Sequence, residues 1–159
     1  MTPEELTTKL QSLVGSPAED FVLHRKPMLF LDRLTAIGVD FAECEWRVAE
    51  DFPLVVPGLG VPSYAGIEYM AQCVAVHSGA RARIRGLEPP LGLLLGTRSY
   101  ECSIPYFEVG QRYESKCREI VRDSQGMGSF SCCLMSKGAI IAEANLAVFE
   151  TPEESSPNE

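Results

Sequence analysis

The sequence is poor in the residues that build metal centres and in the runs that build membrane spans. It has two histidines and one tryptophan in 159 residues, and its six cysteines (Cys44, Cys73, Cys102, Cys117, Cys132, Cys133) include no Cys-x-x-Cys pair. That spacing matches no zinc motif, so no metal and no bound cofactor is expected. A disulfide framework is not expected either. The chain is not short, and Met1-Thr2-Pro3-Glu4-Glu5 has neither the basic start nor the apolar stretch of a secretory signal. All six thiols are read as reduced, small core residues. No apolar run approaches the roughly 20 residues that cross a bilayer, so a cytoplasmic location without membrane insertion is the expectation.

Basic residues are also few, 14 against 22 acidic ones, for a net charge of −8. The excess acid lies at the two ends, in Glu4, Glu5, Glu19 and Asp20 and in Glu150, Glu153, Glu154 and Glu159. The body between is close to neutral. It lacks the clustered positive charge that supplies most of the affinity for nucleic acid, which disfavours that class of partner.

With 45% hydrophobic and 23% charged residues, the chain has the composition and length of one folded domain. The reading is a single domain over residues 1–150 and a disordered acidic tail over 151–159. Thr2-Pro3-Glu4-Glu5 starts a helix, with a hydroxyl cap, proline in the first turn and acids at the positive end of the dipole. It is expected to run to about Val14. Two β-rich runs between Met28 and Val48, around Ile37-Gly38-Val39-Asp40, predict a hairpin. A Pro/Gly-rich loop from Pro53 to Pro62 leads to one long helical pattern from Tyr64 to about Arg85, apolar on nearly every side and therefore buried. Four β-rich stretches follow, at about Leu91–Ile104, Arg112–Arg122, Gly128–Met135 and Ile140–Phe149. An α+β fold with an antiparallel sheet around one buried helix satisfies this order.

On a wheel of the long helix, Tyr64, Glu68, Ala71, Gln72, Ala75 and Gly79 fall within one arc of about 100°. A carboxylate in the first turns of an apolar helix either balances the dipole or is a group whose desolvation is used. The small residues Ala75 and Gly79 on that face leave room for a close strand or an extended acyl chain. His77 lies about 180° from Glu68 and reads as structural. His24 is on the loop before the first strand, next to Arg25 and Lys26; by itself it reads as a surface residue.

His24-Arg25 followed by Pro27, four apolar residues and Asp32-Arg33 resembles the first signature of the β-hydroxyacyl carrier-protein dehydratases. Pro62-Ser63-Tyr64-Ala65-Gly66-Ile67-Glu68-Tyr69-Met70-Ala71-Gln72 is similar to the family's helix-opening segment. The wording of Gly60-Val61-Pro62, of Gly66–Gln72 and of Leu94-Leu95-Gly96-Thr97-Arg98 resembles the aryl-polyene-type (ApeP-like) branch. The resemblance implies a hotdog fold. It also implies a dimer, homomeric or with a related hotdog chain, in which His24 of one chain meets Glu68 of the other, so that a monomer is inactive.

The implied activity is dehydration of a 3-hydroxyacyl thioester to the trans-2-enoyl thioester in fatty-acid or polyene-type biosynthesis. His24 would be the base, suited by an unperturbed pKa of about 6.5, and Glu68 the acid, kept protonated by burial. Backbone amides near Ser63 to Gly66 would hold the carbonyl, although Ser63 replaces the glycine usual in the family. Tyr64, Gln72, Ala75 and Gly79 complete the expected substrate contacts. The substrate is expected on the phosphopantetheine of an acyl carrier protein, or on coenzyme A. Arg81, Arg83, Arg85 and Arg98 serve either that docking or the balance of the helix dipole. Two alternatives stay open, an acyl thioesterase using an ionised Glu68 and a non-catalytic acyl-binding subunit of a hotdog heterodimer.

Overall fold

Thr2 caps the first helix as its sequence predicts. Its hydroxyl accepts from the Glu5 amide while the Glu5 carboxylate accepts from the Thr2 amide, a reciprocal capping box. A computed structural model of the chain describes residues 1–151, so of the expected tail over 151–159 only Thr151 is described, its amide donating to the Leu91 carbonyl (3.0 Å), and the rest lies outside the described residues. The first helix, α1 (Pro3–Gln11), ends three residues before the expected Val14, with Leu10 buried beneath it. Gly15, at φ 94°, turns the chain away.

Eight strands follow: β1 (Arg33–Ile37), β2 (Phe41–Arg47), β3 (Val61–Pro62), β4 (Gly92–Cys102), β5 (Tyr106–Phe107), β6 (Arg112–Arg122), β7 (Met127–Ser136) and β8 (Ala139–Glu150). Six form one antiparallel sheet in the order β1-β2-β6-β7-β8-β4, and β3 pairs with β5 at one end. The long helix α2 (Gly66–Arg83) follows a 3₁₀ turn over Ser63–Ala65 and lies in the concave face of the sheet. This is the hotdog arrangement. Tyr64 and Arg85 fall just outside α2, at ends where helix boundaries are soft. No described helix is long and apolar enough to cross a membrane.

β1 and β2 form the expected hairpin, but its first strand starts later than Met28: Asp32 donates its amide to the Glu45 carbonyl (3.0 Å) just ahead of β1, whereas residues 28–31 do not join the ladder. The Gln72 side chain takes their backbone groups instead, its Oε1 accepting from the Phe30 amide (2.8 Å) and its Nε2 donating to the Met28 carbonyl (2.8 Å). A backbone group held by a side chain is lost to a sheet, so β1 begins only at Arg33. Gln72 is 1% exposed, and replacing it with leucine leaves the buried Phe30 amide and the partly buried Met28 carbonyl without that partner. The expected cost of Gln72→Leu is about 2–4 kcal/mol, read from urea denaturation.

Aromatic rings fill the space between helix and sheet. Tyr69 of α2 stacks on Trp46 of β2 at 3.6 Å between centroids, with Tyr113, Phe107 and Phe30 around them. The indole N–H donates to the Ser115 hydroxyl (2.9 Å), which satisfies the polar edge of the buried ring. Cys44, Cys73, Cys117 and Cys132 are buried, whereas Cys102 and Cys133 are only half-buried, a correction to their reading as core; all six are free thiols. Burial pushes the Cys132 thiol up, which keeps it protonated and inert.

His77 is fully buried with its Nε2 on the Val39 carbonyl (2.9 Å) and its Nδ1 unpaired. Burial, and then the nearby Arg81 charge, hold its pKa below the ordinary 6.5. The folded chain therefore binds a proton at this site less readily than the unfolded chain. Its contribution to stability is complete above about pH 6.5 and falls as the pH drops below that value. The urea midpoint is expected to decline between pH 7.5 and 5.5, and less steeply in His77→Gln.

Candidate active site

His24 and Glu68 meet within one chain. The His24 Nε2 lies 3.8 Å from Glu68 Oε1, too long for a direct hydrogen bond and open to a bridging group. This corrects the expectation that the pair forms only across a dimer. The loop after a short 3₁₀ turn (Ala18–Asp20) brings His24 over the first turns of α2.

Three contacts fix that loop. Arg25 Nη1 donates to the carbonyls of Val22 (2.9 Å) and His24 (2.7 Å), drawing the turn closed. Arg83, from the far end of α2, donates to the Asp20 carbonyl (3.3 Å) and covers the Phe21 ring. At Gly79 the helix presents no side chain, and the Phe21 carbonyl oxygen occupies the place that a Cβ would take.

Glu68 is oriented from one turn further along α2, where Gln72 Nε2 donates to its Oε1 (2.9 Å). The same amide group pins the Met28–Phe30 segment, so one buried side chain couples the carboxylate to the His24 loop. The His24 Nδ1 is buried without a partner, which leaves Nε2 to present the ring's chemistry. The side chains of His24 and Glu68 are 36% and 39% exposed. The dry surroundings expected for Glu68 are therefore not supplied by this chain alone.

The pair stands at one end of a cleft of about 360 Å³, floored by Ala71, Gln72, Ala75 and Ser78 of α2 and walled by Leu91–Leu94 and Val148. Glu150 closes the far end, accepting from the Ser78 hydroxyl and pairing with Arg122 (2.7 Å). Of the residues expected to hold substrate, Gln72 and Ala75 border this cleft. Gly79 is filled by backbone, and Gly66 is buried where the Tyr100 hydroxyl passes over it to the Ser63 carbonyl. Tyr64 is 71% exposed and lines no part of the cleft. The Ser63 amide, the expected carbonyl donor, already donates to the Pro105 oxygen (3.0 Å).

The four arginines separate as well. Arg81 and Arg85 line a second pocket at the end of α2, Arg83 ties down the loop, and Arg98 faces a groove on the sheet with Leu95 and Val121. Ser78 and Glu150 were missed by the sequence reading. Extending the Ala71–Ala75 face by three residues finds Ser78; nothing local marks Glu150. Among the described residues, no group of three or more His, Cys, Asp or Glu is placed to hold a metal ion.

Comparison with solved structures finds the dehydratase heterocomplex ApeI:P from Xenorhabdus doucetiae, at 25% identity over 86% of this chain and 92% of that one, with a TM-score of 0.80. AziG from S. sahachiroi (14% identity, 76% and 90% covered, TM-score 0.58) shares the fold. So does a hypothetical thioesterase with coenzyme A from Streptococcus pneumoniae TIGR4 (9% identity, 77% and 88% covered, TM-score 0.60). No curated protein matches the sequence. The model of the ApeP-like family, described as ApeP dehydratase, matches residues 16–158, all but the α1 segment and the last residue, and the chain belongs to that dehydratase family.

Proposed function

We propose that the chain dehydrates a 3-hydroxyacyl thioester, carried on an acyl carrier protein, to the trans-2-enoyl thioester. The observation that carries this reading is the His24–Glu68 pair, 3.8 Å apart at the head of an apolar cleft. At that separation both groups can face one side of a substrate's C2–C3 unit, the base at C2 and the acid at the C3 hydroxyl. His24 Nε2 takes the proton from C2, and the electron pair moves through the enolate to form the C2–C3 double bond as the C3–O bond breaks. Glu68 enters the cycle protonated and gives its proton to the departing hydroxyl, which leaves as water. Proton return from the imidazolium to Glu68 restores both groups. The N-terminus of α2 points its dipole at the same region and favours the developing negative charge.

The functional form in this reading is a heterodimer with a related hotdog chain, supported by the two-chain dehydratase of Xenorhabdus doucetiae. Among the described residues β4 pairs only with β8, and Leu93, Leu94 and Leu95 on it, with Leu91 just before it, are exposed. An apolar, unpaired edge strand in isolation invites association. A second chain on that edge also covers the cleft that β4 walls, and so dries Glu68. A cytoplasmic location belongs to the same reading. A thioesterase remains the second reading because a half-exposed Glu68 suits activation of water.

The test is mass spectrometry of the protein, alone and with a candidate partner chain, incubated with a 3-hydroxyacyl thioester on carrier protein. Loss of water is the expected result. Release of free acid establishes the thioesterase instead, and no change alone or with the partner removes both readings.

A further inference from the structure

The polar side chains that line the cleft stand at its two ends. His24, Glu68 and Gln72 form the head and Ser78 and Glu150 the far end, and every other described lining residue is apolar or glycine. From Glu68 to Ser78 is ten residues of α2, about 15 Å along the helix axis.

The far end is held from several sides. Ser78 and Glu150 are 7% and 8% exposed. The Ser78 hydroxyl donates to Glu150 Oε1, Arg122 Nη1 donates to Glu150 Oε2 (2.7 Å), and Arg122 Nε donates to Glu119 (2.5 Å). The Glu150 amide donates to the Gly126 carbonyl (2.9 Å), and a Cβ at Gly126 would fall on the Glu150 carbonyl oxygen, so the turn before β7 braces the end of β8. Moving the Glu150 carboxylate aside strands a buried charge, which is far harder than turning an apolar side chain.

We propose that Ser78 and Glu150 are the specificity-determining stop of the cleft, which holds the acyl tail of the substrate and sets its greatest length. The proposal rests on the dehydratase reading for the place of C2 and C3, beside His24 and Glu68. A carrier protein is too large to enter the cleft, so the arm that joins it to the thioester leaves at the head, where His24 and Glu68 are 36% and 39% exposed. The closed wall gives that arm no second way out, and the acyl tail is what lies along Ala71, Ala75 and Leu93. A lining without a hydrogen-bonding side chain between Gln72 and Ser78 suits an unbranched hydrocarbon. An extended chain advances about 1.25 Å per carbon, and with contact distance left at the wall the cleft takes about nine carbons beyond C3, an acyl group of about twelve. A longer chain meets a carboxylate already bonded to Ser78 and Arg122 and gains no apolar burial there.

The test is a length series. Water loss is followed on 3-hydroxyacyl carrier-protein thioesters of four to sixteen carbons, with the partner chain where water loss requires one. In wild type, kcat/KM is expected to rise with each added pair of carbons by up to about tenfold, to peak at about twelve, and to fall at least about tenfold by sixteen. Ala75→Leu places a branched side chain on the floor of the cleft, seven residues from Glu68. Its peak is expected about four carbons shorter, with the ratio of twelve-carbon to four-carbon activity reduced about tenfold or more. Glu150→Ala opens the wall to the pocket of about 650 Å³ beyond it, which shares Ser78 and Glu150 with the cleft, and is expected to abolish the fall at sixteen carbons. A loss of stability alone does not change a ratio between lengths, and if Glu150→Ala fails to fold, Ala75→Leu still decides. A wild-type series without a peak, or an Ala75→Leu variant that lowers all lengths equally, overturns the proposal even if water is lost. Calorimetric binding of saturated acyl-coenzyme A thioesters of the same lengths, which carry no 3-hydroxyl, separates the stop from the chemistry. A binding maximum that Ala75→Leu shortens, in a protein that releases no water, keeps the stop and rejects the dehydratase.

Discussion

His24→Ala is expected to slow water loss by about 10²–10⁴-fold at saturating substrate, the range that a positioned general base supplies. The reason is local. The loop that carries His24 is held by Arg25, Arg83 and the Phe21 carbonyl against Gly79, none of which uses the imidazole. Removing a side chain that is 36% exposed should therefore leave stability within about 0.5 kcal/mol of wild type. Glu68→Gln is expected to lose a similar factor, since an amide cannot give up the proton that the leaving hydroxyl needs. The fully buried His77 offers a contrast, because its replacement should lower the urea midpoint and spare kcat. Stopped-assay rates and urea melts on the three variants decide the matter. An active His24→Ala enzyme would remove the base assignment, and an unfolded one would make the residue structural.

Much of the fold was legible because its elements carry local instructions. Thr2, Pro3 and Glu5 are sufficient to start α1, and the apolar run after Tyr64 is sufficient to bury α2. The last four large strands were located to within two residues, since alternation and turn signals both act at short range. The hairpin's first strand was begun too early, at Met28, because apolar residues 28–31 look like a strand. Only a side chain 42 residues away, Gln72, removes the Phe30 amide from the ladder. The short β3–β5 pairing was missed for a related reason, two residues being too few to show any period.

The site was legible in part. A helix wheel places Glu68, Gln72 and Ala75 together, and the structure has all three on the cleft. The wheel describes only the helix's own face and cannot show what lies against it. That is why Gly79, on the same face, was left open between a close strand and an acyl chain, where a close backbone, that of Phe21, is what fills it. Ser63 and Gly66 were assigned to the carbonyl for their place at the start of the helix, but Pro105 and Tyr100 arrive from about 40 residues further along the chain and take those positions. The His24–Glu68 distance depends on how a 44-residue separation folds back, and no local period encodes it.

Gly79→Ala is expected to be the most damaging single methyl group in the chain. A Cβ at residue 79 would fall on the Phe21 carbonyl oxygen, with the Phe21 Cα also close. Both obstacles are backbone, so no side chain can rotate away, and Phe21 itself is 1% exposed in the core. Either the helix moves outward or the 18–24 loop lifts. The loop is the weaker partner, because its ties to α2 are one Arg83 hydrogen bond and the packing of Phe21, while α2 is enclosed by the sheet. Lifting it carries His24 away from Glu68. A destabilisation of about 1–3 kcal/mol is expected from the overpacking, together with a loss in kcat of about 10²-fold for a displacement near 1 Å. A variant that keeps its melting temperature and loses activity identifies the loop as the part that moved. A variant that keeps both shows that Phe21 does not lie against the helix as described.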